Sequence, residues 1–128
     1  MKKIEAFVPQ KAVENIKVKL SEAFEEAISK GERSEGCPGM SISEVEGKGA
    51  GHSNIHIWGR RKFEINIFPK AKIEIVVCDE DVEKVIDAII KGVKEAKLET
   101  KHQGKIFVYN IEEAIRIRDS KRGEEVVK

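Results

Sequence analysis

Residues 46–61, EGKGAGHSNIHIWGRR, bring glycines at 47, 49 and 51 together with His52, His56, the chain's only tryptophan and the pair Arg60 and Arg61. Three kinds of chemistry suit such a stretch. Closely spaced glycines let a backbone turn aim several amides at one anion. The imidazoles of His52 and His56 suit a transition-metal ion, with His102 as a further donor. The alternation in NIHIW puts Ile55 and Ile57 on one side of an extended segment and His56 with Trp58 on the other, as in a hairpin arm. No lysine-threonine pair follows the glycines, so a Walker-type phosphate loop is not indicated. The histidine spacing shares a face in a helix and in a strand alike, which makes a metal at His52 and His56 the minority expectation. Trp58, beside Arg60, Arg61 and Lys62, has the composition of an aromatic anchor for a partner surface that tolerates positive charge. Packing of Trp58 on its own assembly is the equally weighted alternative.

The elements that must position these residues follow from periodicity. Ile4, Ala6 and Val8 alternate up to Pro9 and predict a strand. Val13, Ile16, Leu20, Phe24, Ala27 and Ile28 recur at steps of three and four, which predicts an amphipathic helix ending near Lys30 and Gly31. GERSEGCPGM has the composition of a loop. Met40, Ile42 and Val45 open a second strand; Phe63, Ile65 and Ile67 share a face after the glycine-rich segment, and Ile73, Ile75 and Val77 continue as a denser strand. Asp79 is placed to cap a second helix whose stripe is Val82, Val85, Ile86, Ile89, Ile90, Val93 and Ala96. GKIFVYN reads as a last strand, and IEEAIRIR as a short helical turn passing into an extended tail. The order βαββαβ is that of an α+β, ferredoxin-like sandwich with both helices on one face of an antiparallel sheet.

The 128 residues fit one domain with one core. Apolar residues make up 40% and charged residues 37%, and 24 basic against 23 acidic side chains leave a net charge of +1, which gives no footing for nucleic acid or an anionic membrane. Cys37 and Cys78 form no CxxC pair, so neither a zinc ribbon nor a thioredoxin-type motif is present. The N-terminal MKKIEAFV is too short and too charged for a signal-peptide core, and a cytoplasmic location is expected. Catalysis is not. Cys37 has no convincing base in Glu35, and an acylphosphatase would need an arginine after the first strand, where FVPQKAV has none.

A fold of this class hosts many functions, so the residues themselves must carry the assignment. MKKIEAFV, GMSISEVEGKG with GH, FPKAKIEIVVCDEDVEKVIDAIIKG, GKIFVYNIEEAIRIR and RGEE together resemble the PII signal-transduction proteins of nitrogen regulation, nearly from end to end. The resemblance implies a cytosolic homotrimer that binds an adenine nucleotide between subunits. It also implies a T-loop, about residues 47–62, that docks onto a transporter, enzyme or regulator, and a C-terminal tail at about 116–128. Nucleic acid is no partner in this picture, and a membrane is reached only through a membrane-protein partner. Matched positions assign Arg116, Arg118 and Lys105 to nucleotide phosphates, with Gly104 allowing close backbone approach. Gly47 and Gly49 fall at the T-loop base against the nucleotide, Ser41 and Val76 near the adenine. Ile57, Trp58, Arg60 and Arg61 are the residues expected to dock the partner.

Three departures limit what is inherited. Family members that sense nitrogen carry Gly-Phe-Gly-Arg-Gln-Lys-Gly-His at the loop base, where this chain has the shorter GKGAGH without arginine or glutamine. That speaks against joint sensing of ATP, magnesium and 2-oxoglutarate. The T-loop tyrosine that many bacterial members have as a uridylylation target is absent, since the only tyrosine is Tyr109 in a predicted strand. A glycine-rich phosphate loop is replaced by LETKHQGK, where Lys101 offers a point charge, so the bound species is left open among ATP, ADP and AMP. The competing expectation is an interaction protein, responsive to a metal or a small anion and associated with a transporter, that has lost nucleotide control.

Overall fold

The computed structural model describes residues 1–32, 36–47, 54–58, 61–65 and 68–128. Strand β1 (Lys2–Pro9) buries Ile4, Ala6 and Val8 on one face, as the alternation requires. A single 3-10 turn, Gln10–Ala12, leads into helix α1 (Val13–Ser29), which buries Ile16, Leu20, Phe24 and Ala27. Strand β2 (Met40–Gly47) follows, then β3 (Asn54–Trp58), β4 (Arg61–Ile65) and β5 (Phe68–Val77). Helix α2 (Val82–Glu95) and strand β6 (Lys105–Asn110) complete the regular elements.

The main sheet has the order β2-β5-β1-β6, with every neighbouring pair antiparallel. Register runs from Lys2 opposite Val77 to Pro9 opposite Lys70, and from Lys2 opposite Asn110 to Phe7 opposite Lys105. Both helices pack on the face that carries Ile4, Ala6, Val8, Ala71, Ile73, Ile75 and Val77. Each fully buried Ile, Leu or Phe there contributes about 1.5–3 kcal/mol. This is the expected ferredoxin-like arrangement, with a hairpin inserted between the second and third strands of the main sheet.

Several expectations need correction. Phe63 and Ile65 do not continue toward the main sheet; they pair with His56 and Asn54 in a separate two-stranded arm of β3 and β4, while Ile67 lies outside the described residues. Ile28 and Ile90 are 41% and 40% exposed, because each sits at the border of its helix's apolar stripe, and Ile42 is 39% exposed on β2, an edge strand of the main sheet. Asp79 caps nothing: its carboxylate accepts from the Met1 ammonium at 2.9 Å, and the chain enters α2 through the 3-10 turn Asp79–Asp81. The segment IEEAIRIR forms no helical turn. It opens a loop closed by a bridge between Ile115 and Arg122, and a 3-10 turn, Glu124–Val126, ends the tail.

Candidate functional site

The sequence-predicted residues fall at two ends of the main sheet. At one end, Lys105 begins β6 opposite Phe7, and Gly47 ends β2 opposite Phe68. Gly104 has φ +105, and its α-carbon lies so close to the Phe7 carbonyl that a β-carbon would overlap that oxygen. Its close approach is thus to the protein's own first strand. Gly49 lies outside the described residues.

At the other end, Ser41 stands opposite Glu74. Ser41 and Val76 line a cleft of about 440 Å³ together with Lys3, Glu74, Val126 and Val127, so the tail shares this space with the positions matched to adenine. Lys3 holds the polar side of this region. Its ammonium lies 2.7 Å from Glu74 and 3.2 Å from Glu5, and 5.5 Å from the Tyr109 ring centroid. The bond to Glu74, then that to Glu5, raises the Lys3 pKa, and the same Lys3 bond holds Glu74 below the usual carboxylate range. A carboxylate pKa depressed by folding contributes stability above its unfolded value and loses it as pH falls, so the Glu74 contribution disappears on acidification.

The loop carrying Arg116 and Arg118 leaves β6 at this second end and returns to it. The Ile111 amide donates to the Met1 carbonyl at 3.2 Å, and the Cys78 thiol donates to the Glu124 carbonyl at 3.8 Å. Burial pushes the Cys78 thiol pKa up, and neither cysteine forms a disulfide. Arg116 is gripped by Asp119: Nε donates to Oδ1 at 3.0 Å and Nη2 to Oδ2 at 2.7 Å. That fork, with the Lys121 amide bond, holds Asp119 below the usual carboxylate range. Arg118 pairs with no acidic side chain among the described residues.

In the arm, Trp58 stands opposite Arg61, Ile57 opposite Lys62 and His56 opposite Phe63. Directly opposed residues share a face, so by register positions 56, 58, 61 and 63 fall on one side of the arm and 55, 57, 62 and 64 on the other. The expected hairpin is present, and it separates Ile57 from Trp58 and Arg61. Arg60 and His52 lie outside the described residues. Among the described residues, no group of three His, Cys, Asp or Glu side chains is gathered to hold a metal ion.

Lys105 and Asn110 are separated by the length of β6, roughly 17 Å at 3.4 Å per residue. Within one chain, Lys105 and the arginine loop therefore stand at opposite ends of β6. Sequence reasoning missed Glu74 and Asp119. The alternation Glu74, Val76 in β5 and the spacing R-x-x-D at Arg116 were the available signals. The family model for nitrogen regulatory protein P-II matches residues 1–121. The chain is 34% identical to nitrogen regulatory protein P-II 2 of Methanothermobacter thermautotrophicus over 99% of its own length and 97% of that protein's. It is 34% identical to nitrogen regulatory protein P-II of Haemophilus influenzae and 35% identical to that of Rhodobacter capsulatus, each over 99% of this chain and 100% of the relative.

Proposed function

This chain belongs to the nitrogen regulatory P-II family, and from that footing we propose a trimeric regulator, not an enzyme, that binds an adenine nucleotide between subunits and signals to a partner protein through its β3–β4 arm. The separation of Lys105 from Arg116 and Arg118 along one chain carries this proposal. Three cations suited to phosphate converge on one ligand only if neighbouring copies contribute opposite ends of their sheets. The sheet face away from the helices supports such an assembly, since Phe107 and Tyr109 are 45% and 46% exposed on it. Phe107 meets Phe7 edge to face at 6.1 Å between centroids, an apolar patch beside the Lys3 and Glu5 charges. Among the described residues, no helix is long and apolar enough to cross a membrane. Action in the cytoplasm, with any membrane contact made through a partner, completes the proposal.

Ligand occupancy would act by population shift. Gly47 ends β2 just before the arm, so a nucleotide lying against it would meet different contacts in different arm states, the condition for biasing one state. Trp58, the only tryptophan, stands in the arm and reports that shift directly.

Calorimetric titration with ATP, ADP and AMP should give saturable heat with at least one of them, accompanied by a change in Trp58 emission. Arg118→Ala should weaken that binding by about tenfold or more, as loss of a charge-assisted phosphate contact does. Absence of heat with all three nucleotides at millimolar concentration would remove the nucleotide from the proposal. In sedimentation, the wild-type chain should run as a trimer and Phe107→Glu as a smaller species, because a carboxylate buried without a partner is costly. A Phe107→Glu protein that remained trimeric would exclude this face from the interface.

A further inference from the structure

The Arg116 loop is closed on an anion that the chain itself supplies. Both oxygens of Asp119 accept from the Arg116 guanidinium in the two-bond fork with which arginine also takes a phosphate. The Asp119 Oδ1 accepts as well from the Lys121 amide at 3.2 Å. The side chains of Arg116 and Asp119 are 33% and 31% exposed, so an incoming ligand can reach the pair.

The loop does not depend on this ion pair for its shape. The Arg116 amide donates to the Lys121 carbonyl at 2.9 Å, the Ser120 amide to the Arg116 carbonyl at 2.8 Å, and the Gly123 amide to the Ala114 carbonyl at 3.0 Å. Arg122 Nη1 donates to Glu113 across the base of the loop at 2.6 Å. The guanidinium can therefore change partner while the backbone stays in place. Its neighbour Arg118 has no acidic side chain to give up among the described residues.

We propose that Asp119 occupies the place of a ligand phosphate on Arg116 and acts as a built-in competitor, setting how tightly the site takes phosphorylated ligands. Asp119 is then a specificity-determining residue: it penalises ligands in proportion to their need for Arg116 and leaves the nucleoside part untouched. This inference rests on the nucleotide site proposed above. A partly exposed ion pair is weak, so the penalty is modest, about fivefold in affinity.

The opposite role, in which Asp119 holds Arg116 in a productive pose, makes the opposite prediction, which allows a clean test. Calorimetry with ADP, and with adenosine as the uncharged control, is run on the wild-type protein, on Asp119→Asn and on Asp119→Ser. Both variants retain an acceptor for the Lys121 amide and lose the negative charge. Both should bind ADP about fivefold more tightly and adenosine unchanged. Unchanged or weaker ADP binding overturns the proposal, and weaker binding would make Asp119 a positioning residue. Equal tightening for adenosine also overturns it, because the effect would not act on phosphate. Heat from none of ATP, ADP and AMP with any of the three proteins would instead bring down the nucleotide site itself.

Discussion

Gly104→Ala is expected to lower stability by about 3–5 kcal/mol, combining a strained backbone with overpacking against a neighbouring strand. The melting temperature should fall by roughly 10–20 °C for a domain of this size. Two effects combine. At φ +105 an L side chain is strained whatever the space around it. Here there is also no space, because the new β-carbon would run into the Phe7 carbonyl oxygen and lie 3.0 Å from the Phe7 carbonyl carbon. Both atoms are backbone of the central strand β1, so neither can rotate away. Relief requires β6 to peel from β1 beginning at the Lys105–Phe7 pair, the very end where Lys105 is held. Two controls separate the terms. Gly31→Ala meets nothing within 4 Å at φ +72 and should cost about 1 kcal/mol, the conformational part alone. Gly39→Ala, with open space and no positive φ, should be close to neutral. Thermal melts without any ligand decide the matter. A Gly104→Ala protein with wild-type melting behaviour would return Gly104 to a role in ligand approach alone.

Gly104 illustrates what was legible in the sequence and what was not. The family resemblance gave Gly104, the first residue of GKIF, a close backbone approach; that Phe7 is so near depends on how β6 pairs with β1, which no local pattern states. The helix and strand periods were legible because burial of one face imposes them: Ile16, Leu20, Phe24 and Ala27 face the core as their spacing requires. The limits of those stripes were not, which is why Ile28 and Ile90 fall within the predicted stripes yet are exposed. Phe63 and Ile65 alternate as a strand does in either sheet, and alternation does not name the partner strand. In IEEAIRIR, the spacing of Ile111, Ala114 and Ile115 mimics a helix, but backbone bonds joining Ala114 to Gly123 and Arg116 to Ser120 and Lys121 close a tight loop instead. For the candidate site, residue types were informative and placement was not. The resemblance assigned Lys105, Arg116 and Arg118 to phosphate, whereas the separation of Lys105 from Arg116 and the capture of Arg116 by Asp119 are properties of the folded chain.

The second large effect is expected at a residue with no part in the site. Gly92 lies in the body of α2, where glycine is normally the poorer choice and alanine gains about 1 kcal/mol. Gly92→Ala should nevertheless destabilise the protein by about 2 kcal/mol, because overpacking of 1–3 kcal/mol opposes that gain and the clash is unusually hard to relieve. A β-carbon there would lie 2.6 Å from the Ile16 α-carbon, 2.7 Å from its Cγ1 and 2.8 Å from its amide nitrogen. The helices cross with backbone almost against backbone, and Ala88, one turn earlier on the same face, is buried as well. Reading large apolar residues alone misses such a crossing, since the residues that make it are the small ones. A double-mutant cycle tests whether the contact is with backbone, as drawn. Ile16→Ala removes only the Cγ1 term, so the combined Gly92→Ala, Ile16→Ala protein should recover little of the Gly92→Ala loss while still bearing the cavity cost of truncating a buried isoleucine, about 2–5 kcal/mol. Full recovery would mean that the side chain, not the helix backbone, sets the distance between α1 and α2. Urea denaturation of the four proteins, with unchanged slopes as the check that the unfolded state is common to all, measures each corner of that cycle.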